Sequence, residues 1–438
     1  MLIEPKVLKG FRDFLPADEI PRRGLIERIE AVYRSYGYVP IDTPALEYAE
    51  ILLGKGGGET EKQVYRFTDA GGRDIALRFD LTVPLARFTA AHLDHLPMPF
   101  KRYHIAKVWR GENTQRGRYR EFMQCDCDVI GEDSAQSDFE IVCMIRAALS
   151  AAGAGAVSIH INHRGLFNRF LDRIGERGKS VEILRTVDKL AKIGPDETLS
   201  LLAADCGDNK AAEIVDFVKP EGGWDETLKK LTRAAGGDCP ESERLALMRR
   251  FMRDAGISDS FELDPSITRG LDYYTGIVYE TFLVDMPEIG SVCSGGRYGD
   301  LAGLYTKAKL SGAGASIGLD RLIAAMSALG RLSARSTYAD LAIAAAEEGQ
   351  AGLYQKAAME LREAGIACEV IRADAAKLTA FFIAAEKRGL RYALFRTDDS
   401  AEADIKQWRF TLRVLSERKN TESLSLQDVK KIIHERQQ

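Results

Sequence analysis

The chain has 438 residues, 45% hydrophobic and 29% charged, with a net charge of −4 and seven cysteines. That length allows two or three domains with cores of their own; no stretch approaches the roughly 18 uninterrupted apolar residues of a membrane span, and the start, MLIEPKVLKG, lacks the long apolar core of a secretory signal. A cytosolic protein with no membrane partner is expected, its scattered, odd-numbered cysteines reduced, and its faint acidity leaves nucleic acid open because binding follows local charge.

The first periodic stretch is residues 20–36, where Leu25, Ile29, Val32, Tyr33 and Tyr36 form one helical stripe and Gly37 stands just past the end. GYVPIDTPALE (Gly37 to Glu47) alternates but carries Pro40 and Pro44, which suits an edge strand or an interface. Gly54-Lys55-Gly56-Gly57-Gly58 lacks the G-x-x-x-x-G-K-[ST] spacing of a phosphate loop and reads as a flexible substrate-side loop. Residues 73–87 read as strand, turn and helix, with Asp80-Leu81-Thr82 placed to cap the helix before Pro84.

Residues 101–131 read as a hairpin, its strands Lys101 to Arg110 and Arg118 to Ile130, its turn framed by Gly111 and Gly117. Alternation sorts the second strand into an apolar row (Tyr119, Met123, Cys125, Cys127, Val129) and a polar row (Arg118, Arg120, Phe122, Gln124, Asp126, Asp128). Basic residues crowd this hairpin (Lys101, Arg102, Lys107, Arg110, Arg116, Arg118, Arg120) against only Glu112 and Glu121 before Gln124, a pattern that suggests a polyanion site with Phe122 as its aromatic platform. Cys125 and Cys127 fall on the apolar row without a second ligand pair at metal spacing, so they read as small buried hydrophobes.

Residues 140–152 read as a helix and 157–161 as a strand. From about Gly165 to Gly256 the pattern is helical throughout, broken at Gly194-Pro195, Gly207-Asp208, Gly222-Gly223 and Gly236-Gly237. Residues 277–284 form a β-branched and aromatic strand preceded by Arg269-Gly270 and by Asp272, Tyr273 and Tyr274, whose paired tyrosines could enclose a small aromatic ligand. Ser294 to Tyr298 reads as a close-approach turn, and residues 311–322 as a glycine-rich strand entering a helix with Arg321 in its first turns. After the linker RLSARST, alternating strands (341–345, 367–371, 392–395) and helices (353–364, 378–388) imply an α/β domain of about 100 residues.

The hairpin resembles motif 2 of the class II aminoacyl-tRNA synthetases, and RGRYREFMQCDCDVIG is similar to its histidyl-tRNA synthetase form. KGFRDFLP (Lys9 to Pro16), LRFDLTVPLAR (Leu77 to Arg87), TRGLDYYTGIVYE (Thr268 to Glu280), SGGRY (Ser294 to Tyr298) and GASIGLDRL (Gly314 to Leu322) follow in that family's order. The resemblance implies an α+β fold: a class II catalytic domain (residues 1–325), an antiparallel sheet flanked by helices, interrupted by a helical insertion (165–256) that contacts the tRNA acceptor arm. A linker (326–337) and a C-terminal α/β anticodon-binding-like domain (338–438) complete it. A helical spacer with no RNA contact is the competing reading of the insertion.

The implied activity is a histidine–tRNA ligase that activates L-histidine with ATP and Mg2+ and transfers it to tRNA(His), acting as a homodimer through residues 20–47. By resemblance, Arg110 and Arg269 face the α-phosphate and Arg321 the pyrophosphate, while Phe122 stacks on adenine with Glu112 near its edge. The histidine pocket comprises Asp80, Leu81, Thr82, Gln124, Asp128, Arg269, Tyr273, Tyr274 and Tyr298: Asp80 and Thr82 hold the α-ammonium, Gln124 orients the amino acid, and Asp128 with Tyr274 reads the imidazole. The chain departs from the family pattern at Gly299-Asp300, where the two residue types are exchanged, and at Asn113, where many bacterial members carry the arginine that helps recognise an extra 5′ guanosine; the loop is closer to the eukaryote-like form. Arg396-Thr397 and residues 410–415 also depart, so anticodon recognition rests on position. The alternative is a non-catalytic histidine-binding paralogue, such as the ATP phosphoribosyltransferase regulatory subunit.

Overall fold

The computed structural model describes residues 2–54, 58–267, 274–299, 302–374, 377–397 and 404–436. Contacts divide the chain into two compact units, one holding residues 1–12 and 25–332, the other residues 13–24 and 333–438.

The first unit is built on an eight-stranded sheet. Its strands are β1 (Val39–Pro40), β5 (Phe100–Trp109), β6 (Glu121–Ile130), β7 (Val157–His163), β8 (Phe261–Leu263), β9 (Ile277–Leu283), β10 (Cys293–Tyr298) and β11 (Gly312–Gly318), in the spatial order β1-β5-β6-β11-β10-β9-β7-β8. The inner pairs are antiparallel, with β1 and β8 added in parallel at the edges. Pro40 therefore sits on an edge strand, where its missing N–H breaks no ladder. A small sheet of β2 (Leu46–Tyr48), β3 (Arg66–Thr68) and β4 (Asp74–Leu77), with β4 central, leads into the helix Thr82–Ala91.

Alternation along β6 gives the sheet its two characters. Cys125, Cys127 and Val129 join the core beneath, packed with Leu25, Ile29 and Tyr33 of the helix Pro16–Ser35 and with the helix Ala135–Ala152; Tyr33 Oη donates to the Cys125 carbonyl at 2.9 Å. The even-numbered row faces the other way and is also buried from Gln124 to Asp128, so its polar groups must be satisfied inside the protein or by a ligand.

Two local expectations change. The second hairpin strand starts at Glu121 rather than Arg118, because the preceding backbone bonds elsewhere: Arg118 N–H reaches the Gln115 carbonyl at 2.9 Å and Arg120 N–H the Gly10 carbonyl at 2.8 Å. Ser294 to Tyr298, expected as a turn, is the interior strand β10. Its glycines answer a sideways constraint, not a bend: a Cβ on Gly295 would lie 2.8 Å from Ala315 Cα and overlap the Gly314 carbonyl and the Tyr279 ring, and one on Gly296 would lie 2.6 Å from the Ile277 carbonyl oxygen.

Between β7 and β8 the chain runs through helices, the longer ones Arg164–Arg173, Pro195–Cys206, Asp208–Val218, Trp224–Ala234 and Pro240–Asp254. The second unit holds a mixed sheet of β12 (Leu341–Ala345), β13 (Cys368–Arg372), β14 (Tyr392–Arg396), β15 (Phe410–Val414) and β16 (Lys419–Leu424), ordered β13-β12-β14-β15-β16. The first three are parallel and the last two antiparallel. One face packs Tyr354, Trp408, Val429 and Ile433, the other Phe381, Ala385 and Leu390.

Candidate active site

The even row of β6 forms the floor of a polar site. Side chains directly opposite on antiparallel neighbours share a face, and the register sets Arg102 and His104 of β5 opposite Asp128 and Asp126, while Gly314 and Ser316 of β11 lie opposite the same two residues. Gly314 is required here: a Cβ would lie 2.8 Å from the Cys127 carbonyl oxygen and overlap the Asp128 carboxylate. Tyr298 on β10 donates to Asp128 Oδ1 at 3.0 Å, and Gln124 Nε2 donates to Ser316 Oγ at 2.6 Å.

Asp128 and Asp126 are both buried. Burial pushes the Asp128 carboxyl up, opposed by Arg102 and by the Tyr298 hydrogen bond; burial lifts Asp126 to about 7, Arg102 opposing and Asp128 reinforcing. Arg102 is fully buried, with Nη2 2.7 Å from Asp128 Oδ2 and 3.2 Å from the Leu81 carbonyl oxygen. Burial works against its charge, but the two carboxylates outweigh that and raise its pKa. His104 is pushed down to about 3 by burial and by Arg102 and Arg78, so its ring is neutral.

The helix Thr82–Ala91 begins beside this floor. Asp80 Oδ1 accepts from the backbone N–H of Thr82 at 3.2 Å and of Val83 at 3.0 Å, and Asp80, Leu81 and Thr82 are all buried. Ala86 packs on Tyr298, with Tyr274 and Tyr305 against the same cluster.

At the other end of the row, Arg110 lies over the Phe122 ring, 5.1 Å from its centroid, and its Nε donates to the Phe79 carbonyl at 2.9 Å. Arg321 stands in the first turn of the helix Leu319–Ala328. Burial, then Arg118 and Arg110, lower its pKa to about 10, with Glu112 and Glu280 opposing. Three guanidiniums converging on one part-buried spot repel one another, an arrangement that an anion relieves. Glu112 is half-buried there and pairs with Arg118 at 3.6 Å.

The helix carrying Arg321 is tied down by Asp320, whose Oδ2 accepts from the Met123 backbone N–H at 2.7 Å and whose Oδ1 pairs with Arg12. Arg12 in turn lies 3.9 Å from the centroid of the Tyr119 ring.

The structure thus gathers Asp80, Leu81, Thr82, Gln124, Asp128, Tyr274 and Tyr298 at one end of the row and Arg110, Glu112, Phe122 and Arg321 at the other. Arg269 and Tyr273 lie outside the described residues, as does Asp300. Sequence reasoning counted Arg102 and Arg118 only among the basic residues of the hairpin's polyanion pattern and placed no role on Ser316 or the Arg12–Asp320 pair; the alternation that put Arg102 opposite Asp128 was the signal available for a specific role of Arg102. A separate cleft of about 660 Å³ opens among the helices between β7 and β8, lined by Phe170, Arg173, Lys210, Glu213, Asp216 and Phe217.

The sequence model of a family described as histidyl-tRNA synthetase matches residues 10–322. A curated histidine–tRNA ligase of Treponema denticola is 50% identical over 98% of this chain and 98% of its own length. Among solved structures, a histidyl-tRNA synthetase from Nostoc sp. PCC 7120 superposes with a TM-score of 0.85 at 32% identity, covering 99% of this chain and 100% of that one. An ATP phosphoribosyltransferase regulatory subunit/histidyl-tRNA synthetase from Bacillus halodurans shares the fold, with a TM-score of 0.74 at 20% identity over 88% of this chain and 97% of its own.

Proposed function

The chain belongs to the histidyl-tRNA synthetase family and is a histidine–tRNA ligase, and from that premise we propose a place for each reactant along the even face of β6. It activates L-histidine with ATP and transfers the histidyl group to the 3′ end of tRNA(His). The observation that carries the placement is the order of chemistry on one strand face: an aromatic ring under a guanidinium at Phe122, then Gln124, then a buried carboxylate at Asp128.

In this reading adenine takes the face of Phe122 with Glu112 at its edge, Gln124 orients the amino acid, and Asp80 and Thr82 receive the α-ammonium. The imidazole lies against Asp128, Tyr274 and Tyr298. The histidine carboxylate oxygen attacks the α-phosphorus, the bond to the bridging oxygen breaks, and pyrophosphate leaves with that electron pair. Arg110 and Arg321 supply fixed positive charge where negative charge gathers, with no reorganisation needed at the moment of reaction. Arg269 and Tyr273 are assigned on sequence alone. Magnesium enters with ATP as part of the substrate, since this ion commonly binds through phosphate oxygens, water and one or two carboxylates.

We assign the insertion to the acceptor arm and residues 338–438 to the anticodon, and place the enzyme in the cytoplasm as a homodimer. The exposed apolar side chains of Val39, Leu46, Tyr48 and Phe67 support the dimer.

ATP–pyrophosphate exchange, run with each amino acid supplied singly, tests the placement. Exchange should proceed with histidine, and Arg110→Ala and Arg321→Ala should each lower its kcat by about 100-fold or more. Unchanged rates in both would sink the phosphate assignment.

A further inference from the structure

Arg102 has no part in the placement above, yet among the described residues it is the one fully buried arginine side chain in the floor of the site. Its Nη2 reaches Asp128 and the Leu81 carbonyl, whereas Nε and Nη1 have no hydrogen-bond partner among the described residues. Buried guanidinium nitrogens left without partners are costly. The same holds for Asp126 Oδ1, Gln124 Oε1 and His104 Nδ1, so unpartnered polar atoms concentrate on the face assigned to the imidazole. A core built for stability alone would not gather them there.

We propose that Arg102 is a positioning residue for histidine recognition: by holding Asp128 as an oriented carboxylate and balancing its charge, it makes the pocket select histidine with a neutral imidazole ring. This rests on the placement of the imidazole against Asp128. The charge count around the ring supports it. Arg102 carries +1 and Asp128 −1; Asp126, lifted to about 7 by burial, is mostly protonated at the pH below about 6.5 where a free imidazole takes up its proton, His104 is neutral, and the Tyr298 proton is held firmly, the group being pushed far up by burial. Arg78 is engaged with Thr43 and the Lys107 carbonyl, the largely exposed Asp42 pairs with His104 Nε2 at 3.0 Å on the solvent side, and Asp80 caps its helix and is assigned to the α-ammonium. Below about pH 6.5 the groups facing the ring therefore sum to about zero, so an imidazolium formed there would bury an uncompensated charge. Tyr298 already donates to Asp128 Oδ1, which leaves that carboxylate to accept from a neutral ring N–H.

The test is equilibrium binding of histidine to the full chain between pH 5.5 and 8.5, with 1,2,4-triazolylalanine as an analogue whose ring is not basic. The parent should lose histidine affinity about tenfold per unit below the ring's ordinary pKa of about 6.5, while analogue binding stays nearly flat. Arg102→Gln should weaken histidine binding about 30-fold or more at pH 7.5 and flatten or reverse the pH slope, losing more affinity for the analogue than for histidine. Arg102→Lys should restore the slope with part of the affinity. Where Arg102→Gln does not fold, the double variant Asp128→Asn/Arg102→Gln leaves no unpaired buried charge. It should bind histidine no more weakly than Asp128→Asn alone, because Arg102 acts through Asp128. A folded Arg102→Gln with the parental slope, or a double variant weakened by the product of the two single losses, overturns the proposal. Histidine binding indifferent to Asp128→Asn overturns instead the imidazole placement on which it rests.

Discussion

Gly314 carries a hydrogen where any other residue would drive a carbon into the Asp128 carboxylate. Gly314→Ala should therefore lower stability by about 1–3 kcal/mol and weaken histidine binding together, read from a urea midpoint and from exchange. Tyr298→Phe keeps the ring that packs on Ala86 and removes the hydroxyl that donates to Asp128; the KM for histidine should rise about tenfold with kcat less affected. Asp126 adds a pH dependence of known sign. Burial raises its pKa to about 7, so the unfolded aspartate ionises first as pH rises from about 4. The stability associated with the protonated group is whole below that pH and is lost as pH climbs through 7. The thermal midpoint of the parent should then fall more between pH 5 and 8 than that of Asp126→Asn, and equal falls would remove Asp126 from the account.

Elements show where local sequence signals suffice and where they mislead. The odd and even rows of β6 were legible because alternation is a property of the strand itself: Cys127 and Asp128 are adjacent in the chain, both buried, and packed on opposite faces. β10 was misread for the opposite reason, since Gly295 and Gly296 carry a turn's composition while their constraint comes from Tyr279, Ile277 and β11, which are remote in sequence. The convergence of Arg118 on Arg321 was hidden likewise, as it joins a hairpin loop to a helix about 200 residues later. Short-range caps were readable in principle and give an independent check on the second unit. Ser425 Oγ accepts from the Asp428 N–H at 3.2 Å, and Asp428 Oδ2 accepts from the Ser425 N–H at 2.9 Å, closing a capping box on the helix Leu426–Glu435. Ser425→Ala should cost about 1 kcal/mol by chemical denaturation and leave histidine-dependent exchange untouched.

At the scale of the whole molecule the two half-reactions should part company under salt. The net charge is only −4, so attraction to tRNA must come from local basic surface and weaken as counterions compete. Raising salt from 50 to 200 mM should raise the KM for tRNA by an order of magnitude or more while the KM for histidine, set in a buried pocket, moves little. An equal response of both would count against a separate charged tRNA surface.

The tie between Arg12, Tyr119 and Asp320 gives the N-terminal segment an unexpected reach. Gly10 accepts the Arg120 N–H, and Arg12 holds the aspartate next to Arg321. Proteolytic trimming of a dozen residues, ordinarily a harmless tidying of a preparation, would here act as a lesion in the proposed pyrophosphate site, and a preparation nicked at that end should lose turnover while the proposed histidine pocket stays intact.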